Sequence, residues 1–252
     1  MNHLLLPFRV VYKIYYLLCF AVSLILLYPV FKYYLATPSR YPKAFVVMRF
    51  WAKLLNILGM IRIKVDGGNN IPAEGSYIIC PNHSSFLDIT GLYSIFKNYF
   101  VFTGKKEIEK WPLFHIFYTS GMNILVDREN KSDAIRVFKR ISEEIKNGKP
   151  LIMFPEGTIS KQVPNLTSFK SGAFAMAIQK QIPVLPVTFL TNWERLQRAG
   201  LFTGKASPGL SEVIIHKPIS TAGLTKNDID LLQAQVREII NEPLKMRYGL
   251  SD

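Results

Sequence analysis

The chain has 252 residues, room for one α/β domain with an appendage. Its 31 Lys and Arg against 18 Asp and Glu leave a formal net charge of +13, which points to an anionic partner: nucleic acid, a phospholipid surface or a phosphorylated substrate. The two cysteines, Cys19 and Cys80, both lie in apolar runs, which excludes a disulfide framework or a cysteine metal site and suits a reducing compartment.

The charge distribution narrows the choice. Residues 1–65 carry nine Lys or Arg and no acid, and they are the most apolar part of the chain. Basic and greasy together is a membrane signature, whereas a nucleic-acid arm would be basic and polar. No nucleic-acid motif appears elsewhere, so no nucleic-acid partner is expected. Ile14 to Phe31 holds no charge; as a helix it would be about 27 Å long, just enough to cross a hydrocarbon core. Arg9 and Lys13 precede it, and Lys32, Arg40 and Lys43 follow, so charge sets no orientation. Tyr12, Tyr15 and Tyr16 at one end, and Tyr28, Tyr33 and Tyr34 at the other, fit aromatic belts. After a turn at Thr37–Pro42, a second helix is expected over Ala44–Met60. Val47, Phe50, Trp51, Leu54, Leu58 and Ile61 would share one face, and Arg49 and Lys53 another, as in a helix lying in the lipid interface. The two helices then make a hairpin dipping into one leaflet, or a spanning helix with an interfacial partner, or they complete a soluble core. Residues 1–60 are read as membrane-associated helices and residues 61–252 as the globular domain.

From the turn cluster Asp66–Asn70 onward, strands and helices alternate. Strands are expected at Ile61–Val65, Tyr77–Cys80, Tyr99–Thr103, Ile124–Val126, Leu151–Phe154, Val184–Phe189 and Glu212–His216. Helices are expected at Ile89–Phe96, Glu107–Tyr118, Ser132–Lys146, Ser171–Gln179 and Lys226–Asn241, the last opened by a capping box of Thr225 and Asp228. Short, apolar, β-branched strands separated by helices predict an α/β fold with a mainly parallel sheet flanked by helices. Ligands on such sheets bind beyond the carboxyl ends of the strands. Polar groups fall there after four successive strands: His83, Lys105, Asp127 with Arg128, and Glu156.

Asn82-His83-Ser84-Ser85-Phe86-Leu87-Asp88 is the sharpest of these. A strand delivers His83 to its end, and a helix starts with Asp88 in its first turn, where negative charge is also favourable for the helix alone. Folded back, Asp88 accepts from one imidazole nitrogen and leaves the other as a base. No Gly-x-Ser-x-Gly elbow supplies a protein nucleophile, so the nucleophile would be a substrate hydroxyl. Gly104-Lys105-Lys106-Glu107 and Asp127-Arg128 offer cations to a phosphate, Arg in bidentate form; alternatively Arg128 pairs with Asp127 or Glu129. Phe154-Pro155-Glu156-Gly157-Thr158 stops a strand, exposes a Glu able to accept from a substrate hydroxyl, and turns through Gly157, which lets backbone approach a ligand closely. Lys170 opens the next helix. No Walker A pattern is present.

These blocks, with Ile182-Pro183-Val184-Leu185-Pro186-Val187 after them, resemble in order the four blocks of the glycerolipid acyltransferase family, in particular bacterial 1-acyl-sn-glycerol-3-phosphate acyltransferases. The resemblance covers about residues 60 to 220. His115 departs from it, standing where the family more often has Gly, and is taken as structural. The resemblance implies the glycerolipid acyltransferase fold and a His83–Asp88 dyad that removes the proton from the 2-hydroxyl of lysophosphatidic acid, which attacks the thioester of acyl-CoA or an acyl carrier protein. It implies no cofactor and no metal. It places Arg128, Glu156 and Gly157 around the glycerol phosphate; Thr158 is a further substrate-binding candidate, and Lys105 and Lys170 are candidates from charge and position. Backbone N–H groups near Ser84 or Gly157 are candidate oxyanion donors. A lipid acceptor and a water-soluble donor imply a seat on the cytoplasmic face of the cell membrane. Within the same chemistry the alternative acceptors are a lyso-ornithine lipid, glycerol 3-phosphate or another lysophospholipid; from another class, the chain would be a non-catalytic lipid-binding module.

Overall fold

The structure, a computed structural model, describes residues 6–127 and 131–250. Seven strands form one sheet: β1 (Ile61–Asp66), β2 (Ile78–Pro81), β3 (Val101–Lys105), β4 (Ile124–Val126), β5 (Leu151–Ile152), β6 (Val184–Phe189) and β7 (Gly209–Ile215). Their order is β1-β7-β6-β2-β5-β3-β4. Every pairing is parallel except β6 with β7. The sheet is therefore mainly parallel, and β1 and β7 run against the other five.

Alternation along the strands explains why their sequences are apolar throughout. Ile78, Val101, Ile124 and Leu151 point into one core, while Ile79, Phe102, Leu125 and Ile152 point into another. A sheet buried on both faces needs both registers apolar. One face carries α5 (Lys131–Lys146), α6 (Gly172–Lys180) and α8 (Ile229–Tyr248). The other carries α1 (Leu6–Leu35), α2 (Tyr41–Leu58) and α3 (Leu87–Ile95). Two one-turn helices, α4 (Ile116–Thr119) and α7 (Asn192–Arg195), complete the set.

Among the elements that differ from expectation, three bear on the packing. The helix expected over Glu107–Tyr118 is a 3-10 stretch, Lys106–Lys110, then α4. Pro112 forces Trp111 into extended backbone (φ −81°, ψ 120°) and interrupts the helix. The last helix runs on to Tyr248, through Pro243. Its start holds the expected capping box: Thr225 N–H donates to Asp228 Oδ2 at 2.7 Å, and Thr225 Oγ1 accepts from Asn227 N–H at 3.3 Å. On α2 the buried side is Phe45, Met48, Trp51, Ala52 and Leu55, whereas Val46, Phe50 and Ile57 face out. The orientation is thus rotated from that expected, with Trp51 inward.

Both N-terminal helices are built into the domain. Trp51 donates its indole N–H to Ser23 Oγ at 2.8 Å and packs on Phe20, Phe31 and Phe117. Along α1 the buried residues run from Tyr12 to Leu35, and two of them, Lys13 and Ser23, are polar. Its exposed side is Val11, Ile14, Leu18, Val22, Ile25 and Leu26. This reverses the ordinary pattern of a surface helix, which turns its polar side outward. It is the one helix among the described residues long and apolar enough to cross a membrane.

Gly67 closes the turn between β1 and the following 3-10 helix at φ +72°, and a Cβ there would lie 2.1 Å from the carbonyl oxygen of Ile215. Gly67→Ala should therefore lower stability by at least about 1–2 kcal/mol from the backbone conformation alone, read as a lower urea or thermal midpoint.

Candidate active site

The site is assembled where five strands finish. Because β2, β3, β4, β5 and β6 are parallel, their carboxyl ends lie on one edge of the sheet. His83 follows β2, Glu156 follows β5, Lys105 ends β3, Asp127 follows β4, and Asn192 follows β6. Asn82 fastens the β2 end laterally. Its side chain donates to Phe189 O at 3.1 Å and accepts from Phe189 N–H at 2.7 Å, mimicking a strand pair.

His83 is held at four points. Its Nδ1 lies 2.9 Å from Asp88 Oδ2. Its backbone N–H donates to Glu156 Oε1 at 2.8 Å, and its carbonyl accepts from Ser160 N–H at 2.8 Å. Its ring stacks on Phe154, with centroids 3.9 Å apart. A carboxylate only accepts, so in the neutral imidazole the proton sits on Nδ1 and the lone pair on Nε2. Among the described residues nothing hydrogen-bonds Nε2. That is the geometry of a base with an open face.

Asp88 is wholly buried, at 0% exposure, and would be costly without partners. It has five. Oδ2 accepts from the His83 ring, from Ser84 N–H at 2.6 Å and from Ser85 N–H at 2.8 Å. Oδ1 accepts from Ser84 Oγ at 3.2 Å and from Asn192 Nδ2 at 2.8 Å. Asn192 is itself fixed by Ser211 Oγ, which donates to its Oδ1. The turn that starts α3 thus wraps its own carboxylate, and α7 and β7 close the shell.

Glu156 is 4% exposed. Oε1 takes the His83 N–H, and Oε2 takes Thr167 N–H at 2.9 Å and Thr167 Oγ1 at 2.7 Å. Burial pushes its carboxyl above the ordinary glutamate range, while these hydrogen bonds and the nearby imidazole pull it part of the way back. With three protein donors on two oxygens, the side chain clamps the loop after β5 to the His83 loop. Gly157 follows at φ +70°, and its N–H donates to Phe154 O at 3.0 Å. The Ser84 and Gly157 amides proposed as oxyanion donors are thus both engaged by protein acceptors here.

The remaining predicted residues lie further out. Thr158 is exposed, and its Oγ1 accepts from Arg198 at 3.1 Å. Lys105 is half-buried at the end of β3. Lys170 is exposed just before α6, its backbone N–H on Pro155 O at 2.8 Å. Lys106 pairs with Asp127 at 3.0 Å. Arg128 lies outside the described residues. His115 is half-buried at the start of α4, where its carbonyl accepts from Tyr118 and Thr119. Sequence reasoning missed Asn192 and Thr167. Neither belongs to a short motif with the residue it touches, and only tertiary pairing reveals them.

Comparison with known proteins gives the family. The family model described as Acyltransferase matches residues 62–190, a span that includes His83, Asp88 and Glu156. The chain is 30% identical over 181 residues to 1-acyl-sn-glycerol-3-phosphate acyltransferase alpha of Mus musculus, covering 70% of this chain and 61% of that protein. It is 33% identical over 204 residues to 1-acyl-sn-glycerol-3-phosphate acyltransferase of Saccharomyces cerevisiae, covering 79% of this chain and 65% of that one. The chain thus spans a little under two-thirds of the length of these relatives. In fold it is similar to the crystal structure of the 1-acyl-sn-glycerophosphate (LPA) acyltransferase PlsC from Thermotoga maritima, with a TM-score of 0.77, 20% identity, and coverage of 97% of this chain and 98% of that one.

Proposed function

Because the chain belongs to the Acyltransferase family, we propose that it transfers a fatty acyl chain from acyl-CoA or an acyl carrier protein to the 2-hydroxyl of lysophosphatidic acid, giving phosphatidic acid. The observation that carries this reading is the pairing of His83 Nδ1 with buried Asp88 at 2.9 Å, with Nε2 left open. Nε2 takes the hydroxyl proton as the oxygen attacks the thioester carbonyl. The tetrahedral intermediate collapses, the C–S bond breaks, and the imidazolium returns its proton to the departing thiolate. Asp88 stabilises the imidazolium formed between those steps. General-base catalysis contributes about 10²–10⁴-fold; holding two substrates in register supplies more.

Glu156 serves this reaction as a positioning residue, since it holds the backbone of the base. Gly157 keeps the loop after β5 close to the site. Arg128 is the family's candidate cation for the acceptor phosphate; Lys105 and Lys170 add positive charge along the edge where β3 and β5 end, and Thr158 borders it. Charge-assisted hydrogen bonds of this kind are worth about 1.5–3 kcal/mol. Arg128→Ala should therefore raise the KM for lysophosphatidic acid by about 10-fold to 150-fold, with a smaller change for the acyl donor, measured by varying each substrate in turn.

The membrane seat follows from α1. Its buried residues run from Tyr12 to Leu35, which favours a helix lying along the domain over one that leaves it to cross a bilayer. Its outward side is apolar. It would lie in one leaflet with the domain on the cytoplasmic side, where a lipid acceptor and a soluble donor meet. The deciding assay is purified protein in detergent with labelled acyl-CoA or acyl carrier protein and lysophosphatidic acid. Phosphatidic acid is the expected product. Product only with glycerol 3-phosphate or a lyso-ornithine lipid would move the reading to that acceptor. No transfer to any of them would overturn it.

A further inference from the structure

A short hairpin lies beside the dyad and is absorbed by none of the chemistry above. Leu196 and Ala206 pair at its base, Gln197 N–H donates to Lys205 O at 2.9 Å, and Thr203 N–H donates to Gly200 O at 3.1 Å across the tip. The tip side chains are Leu201 and Phe202, and Phe202 is 66% exposed. An apolar tip on a polar-based loop gains nothing from water.

The hairpin is fixed to the membrane helix. Lys13, 4% exposed in the midst of an apolar helix, gives its ammonium to Gly200 O at 2.9 Å and to Thr203 O. A buried lysine needs such acceptors, and both come from the hairpin tip. The base is fixed to the active site instead. Gln197 bridges Ser85, and Ser85 Oγ donates to Leu196 O at 2.6 Å. The same Ser85 gives its backbone N–H to Asp88. Arg198 donates to Thr158 Oγ1, next to Gly157.

The direction of β1 shows what surrounds the tip. β1 runs against β6, so it begins at the end of the sheet where β2 and β6 finish and the dyad sits. The first turns of α1 meet the end of α2 there, through Tyr12 to Gly59 O at 2.6 Å and Tyr15 to Leu58 O at 2.8 Å. Val11, Ile57, Met60 and Phe86 are all exposed at this end, Ile57 at 73%. They continue the apolar outward side of α1, which carries no exposed charge between Val11 and Val30, toward the dyad.

We propose that Leu201 and Phe202 form a second lipid-contacting element, inserted in the same leaflet as α1, so that hairpin, helix ends and Phe86 make an apolar rim around the dyad. The occupant is a phospholipid leaflet. A folded partner would have to cover the whole apolar side of α1 as well, whereas hydrocarbon covers it without complementarity, and the exposed cations Arg198 and Lys205 flank the tip at headgroup level. The proposal rests on the membrane seat argued above, and its test separates the two. Single cysteines replace Phe202, Ile25 on the outward side of α1, and Leu231, exposed at the start of α8, whose other end reaches the finish of β6 through Tyr248 to Leu190 O. The background is Cys19→Ser; Cys80 is buried and stays unlabelled. Each carries a polarity-sensitive fluorophore, and the full chain is mixed with phosphatidylcholine–phosphatidylglycerol vesicles bearing nitroxide on the acyl chains, with no substrate present. The labels at 202 and 25 should shift to the blue and lose intensity to the nitroxide, and the label at 231 should do neither. Quenching at 25 but not at 202 overturns the hairpin proposal and leaves the seat standing. Quenching at neither overturns both. A blue shift at 202 that depends on protein concentration and not on lipid would assign the tip to a second copy of the chain and also overturn it.

Discussion

Replacing His83 with Ala should lower turnover by about 100-fold or more while leaving the protein folded. The substitution is clean because the contacts that shape the loop are made by the backbone: the His83 N–H still reaches Glu156, and its carbonyl still accepts from Ser160. What is lost is the ring, with its Nδ1 on Asp88 and its face on Phe154. The ring moves a proton only during the chemical step, so kcat should fall far more than the KM of either substrate changes. Initial rates across both substrate ranges, with a thermal melt alongside, give the comparison. Full activity in His83→Ala would remove the proposed base; a collapsed melt would mean that the ring holds the loop after all.

The dyad was legible because it is local. A strand end, a five-residue step and a helix start lie within one stretch, and the geometry follows from regular structure. The alternation of strands and helices was legible for the same reason. What surrounds the dyad was not. Asn192 meets Asp88 across 104 positions of sequence, and no periodicity announces such a contact. Glu156 looked like a hand offered to substrate because the sequence hides the donors that occupy it, His83 N–H and Thr167. The face of α2 was misjudged because apolar residues lie on both sides of the helix, with Val46, Phe50 and Ile57 on the outer side among Lys43 and Lys53. Periodicity then offers several faces, and packing with Ser23, Phe31 and Phe117 selects the one with Trp51 inward. Strand direction was also invisible: nothing in the composition of β1 or β7 says that they run against the rest.

That reversed pair has a consequence for function. With β1 antiparallel to β6, the chain leaves α2 and enters the sheet at the dyad's end. The start of α1 and the end of α2 are thereby brought to the end of the sheet that carries the dyad. A lipid acceptor with its glycerol hydroxyl near the headgroup level would then need little displacement from the bilayer to reach Nε2. Lys13 makes the link concrete, because its two acceptors belong to the hairpin whose base holds Ser85.

Asp88→Asn tests how the base is oriented, and its outcome depends on which way the amide points. At the Oδ2 position an NH₂ would face three donors: the His83 ring, Ser84 N–H and Ser85 N–H. At the Oδ1 position it would face Ser84 Oγ, which can turn to accept, and Asn192 Nδ2. Three donors against one fixed donor keeps the amide oxygen at Oδ2. His83 then retains its Nδ1–H tautomer, and the loss is that of the negative charge opposite the imidazolium. In a serine-protease triad the corresponding change costs about 10⁴-fold because the tautomer is wrong. Here the tautomer survives, so the expected fall in kcat is smaller, about 10-fold to 100-fold, the difference between a charged and a neutral hydrogen bond in a buried site. Asp88→Ala should do worse in both activity and melting temperature, since it leaves buried backbone donors without acceptors. Nitrogen-15 spectra of His83 in Asp88→Asn decide between the two accounts: a proton on Nδ1 fits the modest loss, and a proton on Nε2, with a loss near 10⁴-fold, would mean that Asn192 and the Ser84–Ser85 amides do not dictate the orientation of residue 88.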